Sequence, residues 1–302
     1  MDALKRFASG ALLFSLGLTF GRETAEAQDE HTSFVERYQT LLKEYRAQGA
    51  GFREATTPEQ RKAAIERMDG FAPRFLDLAE ERPRDPLALE ALLEVVRTLN
   101  AVDSLTQVTW ETDPLAPQVD TDRSADRAVA LLSSEYQQSD QLGPLCQRMS
   151  YGLRKAFECF LRAVLETNPH REVQALTCLS LAQFLNTRLH RVELIDDRPA
   201  FAERFASLLG KTYVDELRRQ DRDAARAEIA ALFERAAETY GDVEHPYGGT
   251  IGEKARAELF EIRNLAVGEV APEIEGVDQH GQRFRLSDYR GKVVLLDFWQ
   301  EY

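Results

Sequence analysis

The apolar run Val293–Leu296 constrains this chain most, because a segment of this kind needs neighbours on every side. A short continuous apolar run rich in β-branched residues is typical of a strand that is buried on both faces of a sheet. An uncovered, flat hydrophobic edge would promote aggregation. The run stands close to the end of the given sequence, so we expect it to belong to a domain that residues 267–302 begin and do not complete.

The residues around this run form a recognisable pattern. Two predicted strands, 273–276 and 282–286, flank a predicted hairpin turn at Asp278–Gly281. The pattern comprises Ala271-Pro272, Asp278, Gly281, Leu286-Ser287-Asp288, Gly291-Lys292 and the terminal Asp297-Phe298-Trp299-Gln300-Glu301-Tyr302. With these residues the segment resembles the opening of a thioredoxin-like domain of the redoxin family, which includes thiol peroxidases and membrane-side thiol-disulfide oxidoreductases.

The resemblance implies a specific site. In the family, Asp-Phe-Trp-x-x-aromatic is followed by the first cysteine of Cys-x-x-Cys, a thiolate stabilised at a helix N-terminus. Asp297 matches the family's buried aspartate, which assists proton transfer during attack by the second cysteine. Phe298, Trp299 and Tyr302 match the wall of the site. The alternative for Asp297 is a partly buried carboxylate without a catalytic role.

Tyr302 occupies the position before the family's nucleophile, so we expect the 302-residue chain to be inactive by itself. A UGA codon for selenocysteine, read as a stop, would explain this position, because selenocysteine can replace the nucleophilic cysteine. A frameshift, a fragment and a genuine nonsense mutation remain as alternatives. The next codon distinguishes them.

The amino-terminal segment 1–27 has the features of a secretory signal peptide. Lys5 and Arg6 precede the apolar stretch 7–20, and Ala25-Glu26-Ala27 is a small-x-small cleavage site. We therefore expect export to the periplasm or the extracellular space, with the mature chain starting near Gln28. The apolar stretch is short for a stable membrane span, although an uncleaved anchor is the alternative.

Residues 28–266 have helical periodicity almost throughout, and the predicted fold class is mainly α. We expect a helical bundle or an α-solenoid-like region, followed by the first strands of an incomplete thioredoxin-like α/β domain. Thr57-Pro58-Glu59-Gln60 predicts a capped helix start, and Asp85-Pro86 predicts another. No register of the tetratricopeptide signature is found.

Several breaks and boundaries are predicted within this helical region. A loop is expected at 109–122, a turn at Gly143-Pro144 and another loop at 241–252. Two very apolar helices, 156–165 and one that Asn168-Pro169 starts and that runs to about Leu189, are expected to form the centre of the core.

Other candidate sites give weak signals. Asp120 and Asp122 are expected to be solvated rather than metal ligands, and His170 and His190 are too far apart on one helix to share a ligand. Cys146, Cys159 and Cys178 form no Cys-x-x-Cys pair. We expect buried, unreactive thiols at Cys159 and Cys178, with a bridge between them as the alternative. No metal or other cofactor is predicted.

Charge and motifs restrict the function classes. The net charge of −13 disfavours nucleic acid as a partner. No HExxH, GxSxG or phosphate loop is present, so a hydrolase in the helical region has no motif to support it. The favoured interpretation is an exported thiol-disulfide oxidoreductase or thiol peroxidase with a role in redox homeostasis, acting on protein thiols, disulfides or a peroxide. The alternative is a non-catalytic helical module that binds a protein partner and carries a vestigial redoxin start.

Overall fold

The structure is a computed structural model that describes residues 25–110, 122–265 and 268–297. Residues 1–24 of the predicted signal peptide and residues 111–121 of the predicted loop lie outside these ranges. The described part is mostly helical with one small two-stranded sheet, which confirms the predicted mainly α class.

The helical part consists of helices joined by short connections. In chain order they are α1 Ala25–Glu54, α2 Pro58–Asp69, α3 Phe71–Glu81, α4 Pro86–Trp110, α5 Asp122–Glu135, α6 Gly143–Met149, α7 Lys155–Thr167, α8 Arg171–Asp197, α9 Pro199–Leu209, α10 Lys211–Arg219, α11 Arg222–Thr239 and α12 Ile251–Asn264.

The start of α2 forms as its sequence predicts. The Thr57 hydroxyl accepts the Gln60 amide at 3.3 Å, and the Gln60 side chain accepts the Thr57 amide at 3.2 Å. Pro58 occupies the first turn, where its missing amide hydrogen leaves no helical bond unmade. Thr250 and Glu253 form a second capping box of the same kind at the start of α12.

The predicted central helices are α7 and α8, and both lie in the main hydrophobic core. Each contributes large side chains that are almost completely shielded from solvent, including Phe157, Phe160 and Phe184. Helix α8 packs against α6, α7, α9, α10, α11 and α12. A smaller cluster, which contains Leu153, Phe205 and Leu208, lies where α9 and α10 cover the end of α8.

The packing combines features of both predicted architectures. From α1 to α7 most helices pack on near neighbours in sequence, as in an α-solenoid. Helix α8 instead collects six other helices around itself, as in a bundle. The helices from α6 to α12 are therefore held together by one long helix.

Several predicted boundaries in the helical part were wrong, including the ends of the predicted loops at 122 and 252, which fall inside α5 and α12. Gly143-Pro144 starts α6, because proline is tolerated in a first helical turn, where no amide donor is needed. Helix α4 extends to Trp110, beyond the predicted loop start at Thr109. Helix α8 continues past Leu189 to Asp197, because Val192 and Ile195 keep its buried face continuous.

The segment 268–297 contains the two-stranded sheet. Strand β1, Glu275–Val277, pairs antiparallel with strand β2, Arg283–Arg285, and a 3₁₀ turn, Leu286–Tyr289, follows. The predicted strand at Val293–Leu296 was wrong: residues 293–297 have no regular secondary structure and are exposed. A strand forms only when its backbone groups pair with a neighbour, and in the described ranges no other strand pairs with this run.

Candidate functional site

The hairpin turn at Asp278–Gly281 is fixed by the two residues that carry the family resemblance there. The Asp278 Oδ1 atom accepts the amides of His280 at 2.8 Å and Gln282 at 2.9 Å, which closes an Asx turn. Gly281 adopts a φ of 79°, a left-handed conformation that favours glycine. The sequence pattern at these positions therefore has a local structural reason.

The 3₁₀ turn is also tied to the hairpin. The Asp288 carboxylate accepts the Arg285 amide at 2.9 Å, and the Glu273 carboxylate accepts the Ser287 amide at 3.0 Å. Hydrogen bonds from the Ser287 side chain and backbone amide hold the pKa of Glu273 below its ordinary value. These contacts hold the 3₁₀ turn against the hairpin.

The hairpin carries a close ring-to-backbone contact. Gly276 lies opposite Phe284 in the register, and a Cβ atom added at Gly276 would come within 2.9 Å of the Phe284 ring. The ring therefore covers the glycine, a cross-strand arrangement that shields backbone otherwise open to water.

The stretch after Gly291 presents apolar side chains to solvent. Val293 is fully exposed and Leu295 is 92% exposed, whereas Val294 and Leu296 are about half as exposed. Asp297 is exposed at the end of this stretch. The predicted site-wall residues Phe298, Trp299 and Tyr302 lie outside the described residues, so the catalytic role of Asp297 stays a prediction.

Two of the three cysteines are buried in the helical core. Burial raises the pKa of the Cys146 thiol to about 12, although a hydrogen bond with Thr177 opposes the shift. Burial likewise raises the pKa of Cys178 to about 11, and its thiol donates to the Leu232 carbonyl at 3.4 Å. Both stay protonated near neutral pH and are poor nucleophiles.

Cys159 differs from the prediction made for it. It is exposed, and all three cysteines are free, so the predicted burial of Cys159 and the alternative Cys159–Cys178 bridge were both wrong. On α7 the buried face is formed by Phe157, Phe160 and Leu161, and Cys159 turns away from it. At about 100° per residue, helical spacing places Cys159 on the exposed face of α7. The prediction of burial relied instead on the apolar residues next to Cys159 in the sequence.

Cys159 lies in a stretch of α7 whose charged residues line an open groove between α7, α8 and α10. The Lys155 ammonium donates to Glu216 at 2.9 Å, and Arg162 donates to Glu158 and Glu228. Burial alone would raise the pKa of Glu158, but the charges and hydrogen bonds of Arg188 and Arg162 outweigh it and lower that pKa. Lys155, Arg162 and Arg188 in this groove are therefore engaged by carboxylates.

Within 25–110, 122–265 and 268–297, no three His, Cys, Asp or Glu side chains are grouped so that they could hold a metal. No helix in the same ranges combines the length and hydropathy that crossing a membrane requires. His170 is half-buried at the residue before α8, where its amide donates to the Asn168 side chain at 2.9 Å.

Comparison with known proteins gives one partial likeness. A 35-residue part of the chain is 54% identical to the thiol-disulfide oxidoreductase ResA of Geobacillus kaustophilus. The match covers 12% of this chain and 20% of the length of ResA. No family model matches the chain, and no solved structure matches it. The likeness links the chain weakly to thioredoxin-like oxidoreductases.

Proposed function

We propose that residues 267–302 are the opening of a thioredoxin-like domain and that the protein is an exported thiol-disulfide oxidoreductase. The 35-residue likeness to ResA carries this proposal. Its length is close to that of the segment 267–302, and ResA, a thiol-disulfide oxidoreductase, agrees in activity with the family that the residue pattern resembles.

The geometry of residues 268–297 adds support. The Asx turn at Asp278, the φ of Gly281 and the capped 3₁₀ turn give Asp278, Gly281 and Asp288 of the pattern a structural role. The run Val293–Leu296 exposes apolar side chains that suit a strand inside a sheet. Partner strands would bury these side chains and order Asp297 at the strand end.

In this proposal the redox nucleophile is a cysteine or a selenocysteine next to Tyr302. A helix N-terminus would stabilise its anion, and Asp297 would take up or release the proton when the second thiol attacks. The buried Cys146 and Cys178 have pKa values of about 12 and about 11, which makes them unsuited to this chemistry.

The gene downstream of codon 302 tests the first part of the proposal. A UGA or cysteine codon, followed in frame by two residues, a cysteine and further thioredoxin-like sequence, is the expected result. Any other downstream sequence would contradict it and favour the helical module that binds a protein partner.

An activity assay tests the second part, on the product of that whole reading frame. We expect reduction of insulin disulfides, and loss of turnover when the nucleophile next to Tyr302 is replaced by serine. Asp297→Asn should slow turnover by about 10²-fold, the lower range for general acid–base catalysis. Glu269→Gln, which removes an exposed carboxylate of the same segment, is the matched control and should leave turnover unchanged. Peroxide consumption without disulfide reduction would assign the protein to the thiol peroxidases instead.

Export is tested separately, because its support is the sequence of residues 1–27. We expect the mature protein to begin at Gln28, measured as intact mass. Protein from its own source that retains Met1 would contradict cleavage.

A further inference from the structure

The loop between α11 and α12 is a compact, hydrogen-bonded hairpin. The His245 amide donates to the Gly249 carbonyl and the Gly248 amide donates to the His245 carbonyl, both at 2.9 Å. The Ile251 amide donates to the Val243 carbonyl at 2.9 Å. Gly248 and Gly249 have φ values of 88° and 72°, which only glycine adopts readily. Residues 243–250 therefore have one defined conformation, with the His245 ring beside them.

The His245 ring connects this loop to α6. The Gln147 Nε2 atom lies 3.1 Å from the His245 Nε2 atom, across 98 residues of sequence. On the other side of the ring, the Tyr247 backbone amide donates to Nδ1 at 3.3 Å. The ring therefore has one hydrogen-bonding contact with α6 and one with its own loop.

The Tyr247 contact determines which ring nitrogen carries the proton. A backbone amide can only donate, so Nδ1 must be without a proton, and in the neutral ring the proton is on Nε2. Two donors cannot share one hydrogen bond, so the Gln147 side chain must turn its amide group to place Oε1, instead of Nε2, opposite the Nε2–H of the ring. A second proton would have to bind at Nδ1, where it would face the Tyr247 amide hydrogen and remove that hydrogen bond.

Burial and the neighbouring charges also favour the neutral form of the His245 ring. Burial lowers the pKa of His245, and the ammonium of Lys254 on α12 lowers it further. The acidic groups of the loop have other partners or are exposed: Arg171 of α8 binds Asp242, Glu253 accepts the Thr250 amide, and Glu244 is exposed. On α6 the residue that faces the ring, Gln147, is uncharged.

We propose that His245 is a pH-sensitive latch that holds the α11–α12 loop closed while its ring is neutral and releases the Tyr247 end of the loop when Nδ1 is protonated. The latch responds to acidification of the protein's surroundings. Protonation frees the Tyr247 backbone amide from the His245 ring. Tyr247 is 68% exposed, and its ring centroid lies 5.8 Å from that of His245. The inference is independent of the redox proposal, because it uses residues of the helical region alone.

The direction of the pKa shift of His245 determines whether acid favours the closed or the released loop. Because the pKa of His245 is lower in the folded protein than its ordinary 6.5, the closed loop is favoured fully above pH 6.5. As pH falls through 6.5 and below, proton binding favours the released loop, by up to tenfold for each pKa unit of difference.

Nuclear magnetic resonance of the full chain tests the latch without any variant. The ring ¹⁵N shifts should report the proton on Nε2 at pH 8 and a titration below pH 6.5. Exchange of the Tyr247 amide, corrected for its intrinsic pH dependence, should become faster at pH 5 than at pH 8. A proton on Nδ1 at pH 8, a pKa at or above 6.5, or unchanged Tyr247 exchange would each overturn the proposal.

Two variants separate the latch from general effects of acid. In His245→Gln the corrected exchange of residues 243–250 should be the same at pH 5 and pH 8. In His190→Gln, which removes an exposed histidine of α8, the exchange should keep the pH dependence of the wild type. Equal loss of pH dependence in both variants would contradict a specific role for His245.

Discussion

One buried asparagine, Asn168, holds the residues that follow α5 against the start of α8, and its contacts allow a quantitative prediction. Asn168 is 1% exposed. Its Nδ2 group donates to the Gln137 and Ser139 carbonyls, each at 2.9 Å, and its Oδ1 atom accepts the His170 amide at 2.9 Å. One side chain thus joins the residues that follow α5 to the start of α8.

Asn168→Ala removes three hydrogen bonds and leaves two carbonyls and one amide without their partner. At about 1 kcal/mol for each bond, the free energy of unfolding should fall by roughly 2 to 4 kcal/mol. For a domain of this size the melting temperature should fall by roughly 6 to 12 °C. The α8 start should become less protected while the core side chains stay packed.

Urea unfolding followed by circular dichroism measures the change, with equal m-values required for the comparison. Asn264→Ala is the matched control, because the Asn264 side chain bonds only to the Phe260 carbonyl on the exposed face of α12. Its effect should stay within about 0.5 kcal/mol. A loss below about 0.5 kcal/mol for Asn168→Ala would refute the argument that this side chain joins the two elements.

Three further predictions concern the helical region. A thiol reagent at pH 8 should modify one cysteine, Cys159, in the native protein and all three cysteines after denaturation. Fast modification of a second thiol in the native protein would contradict the burial of Cys146 and Cys178. Thr250→Ala should cost about 1 kcal/mol through loss of the α12 capping box, and Thr250→Ser should restore most of it. Arg154→Met should cost about 3 to 5 kcal/mol in urea unfolding, because it leaves the Asp103 carboxylate buried without its guanidinium, and adding Asp103→Leu should recover much of that loss.

Sequence reasoning was most successful where the structure depends on local contacts. The capping box at Thr57 and Gln60 uses residues three positions apart, so its chemistry is visible in the sequence. The Asx turn at Asp278 and the left-handed Gly281 are local in the same sense. The wide apolar faces of α7 and α8 identified the centre of the core, because burial of a whole face follows from helical spacing.

Contacts between distant parts of the chain could not be read from the sequence. The pairing of Gln147 with His245 joins residues 98 positions apart, and nothing around either residue indicates the other. The buried ion pair between Arg154 and Asp103 is hidden for the same reason. Asn168 was identified only as a helix start, because the two carbonyls that it binds come from a different connection.

The wrong prediction of a strand at Val293–Leu296 shows how conditional such a pattern is. The composition of the run indicates that it would be stable in the middle of a sheet, beside other strands and covered by helices on both faces. Its backbone becomes a strand only when another backbone supplies the hydrogen bonds, and β1 and β2 pair with each other instead. The hairpin forms because its turn is local, whereas the apolar run depends on partners elsewhere. A chain in which partner strands cover Val293 and Leu295 should therefore order residues 293–297 without changing the hairpin, because the hydrogen bonds of Asp278 and Asp288 do not involve them.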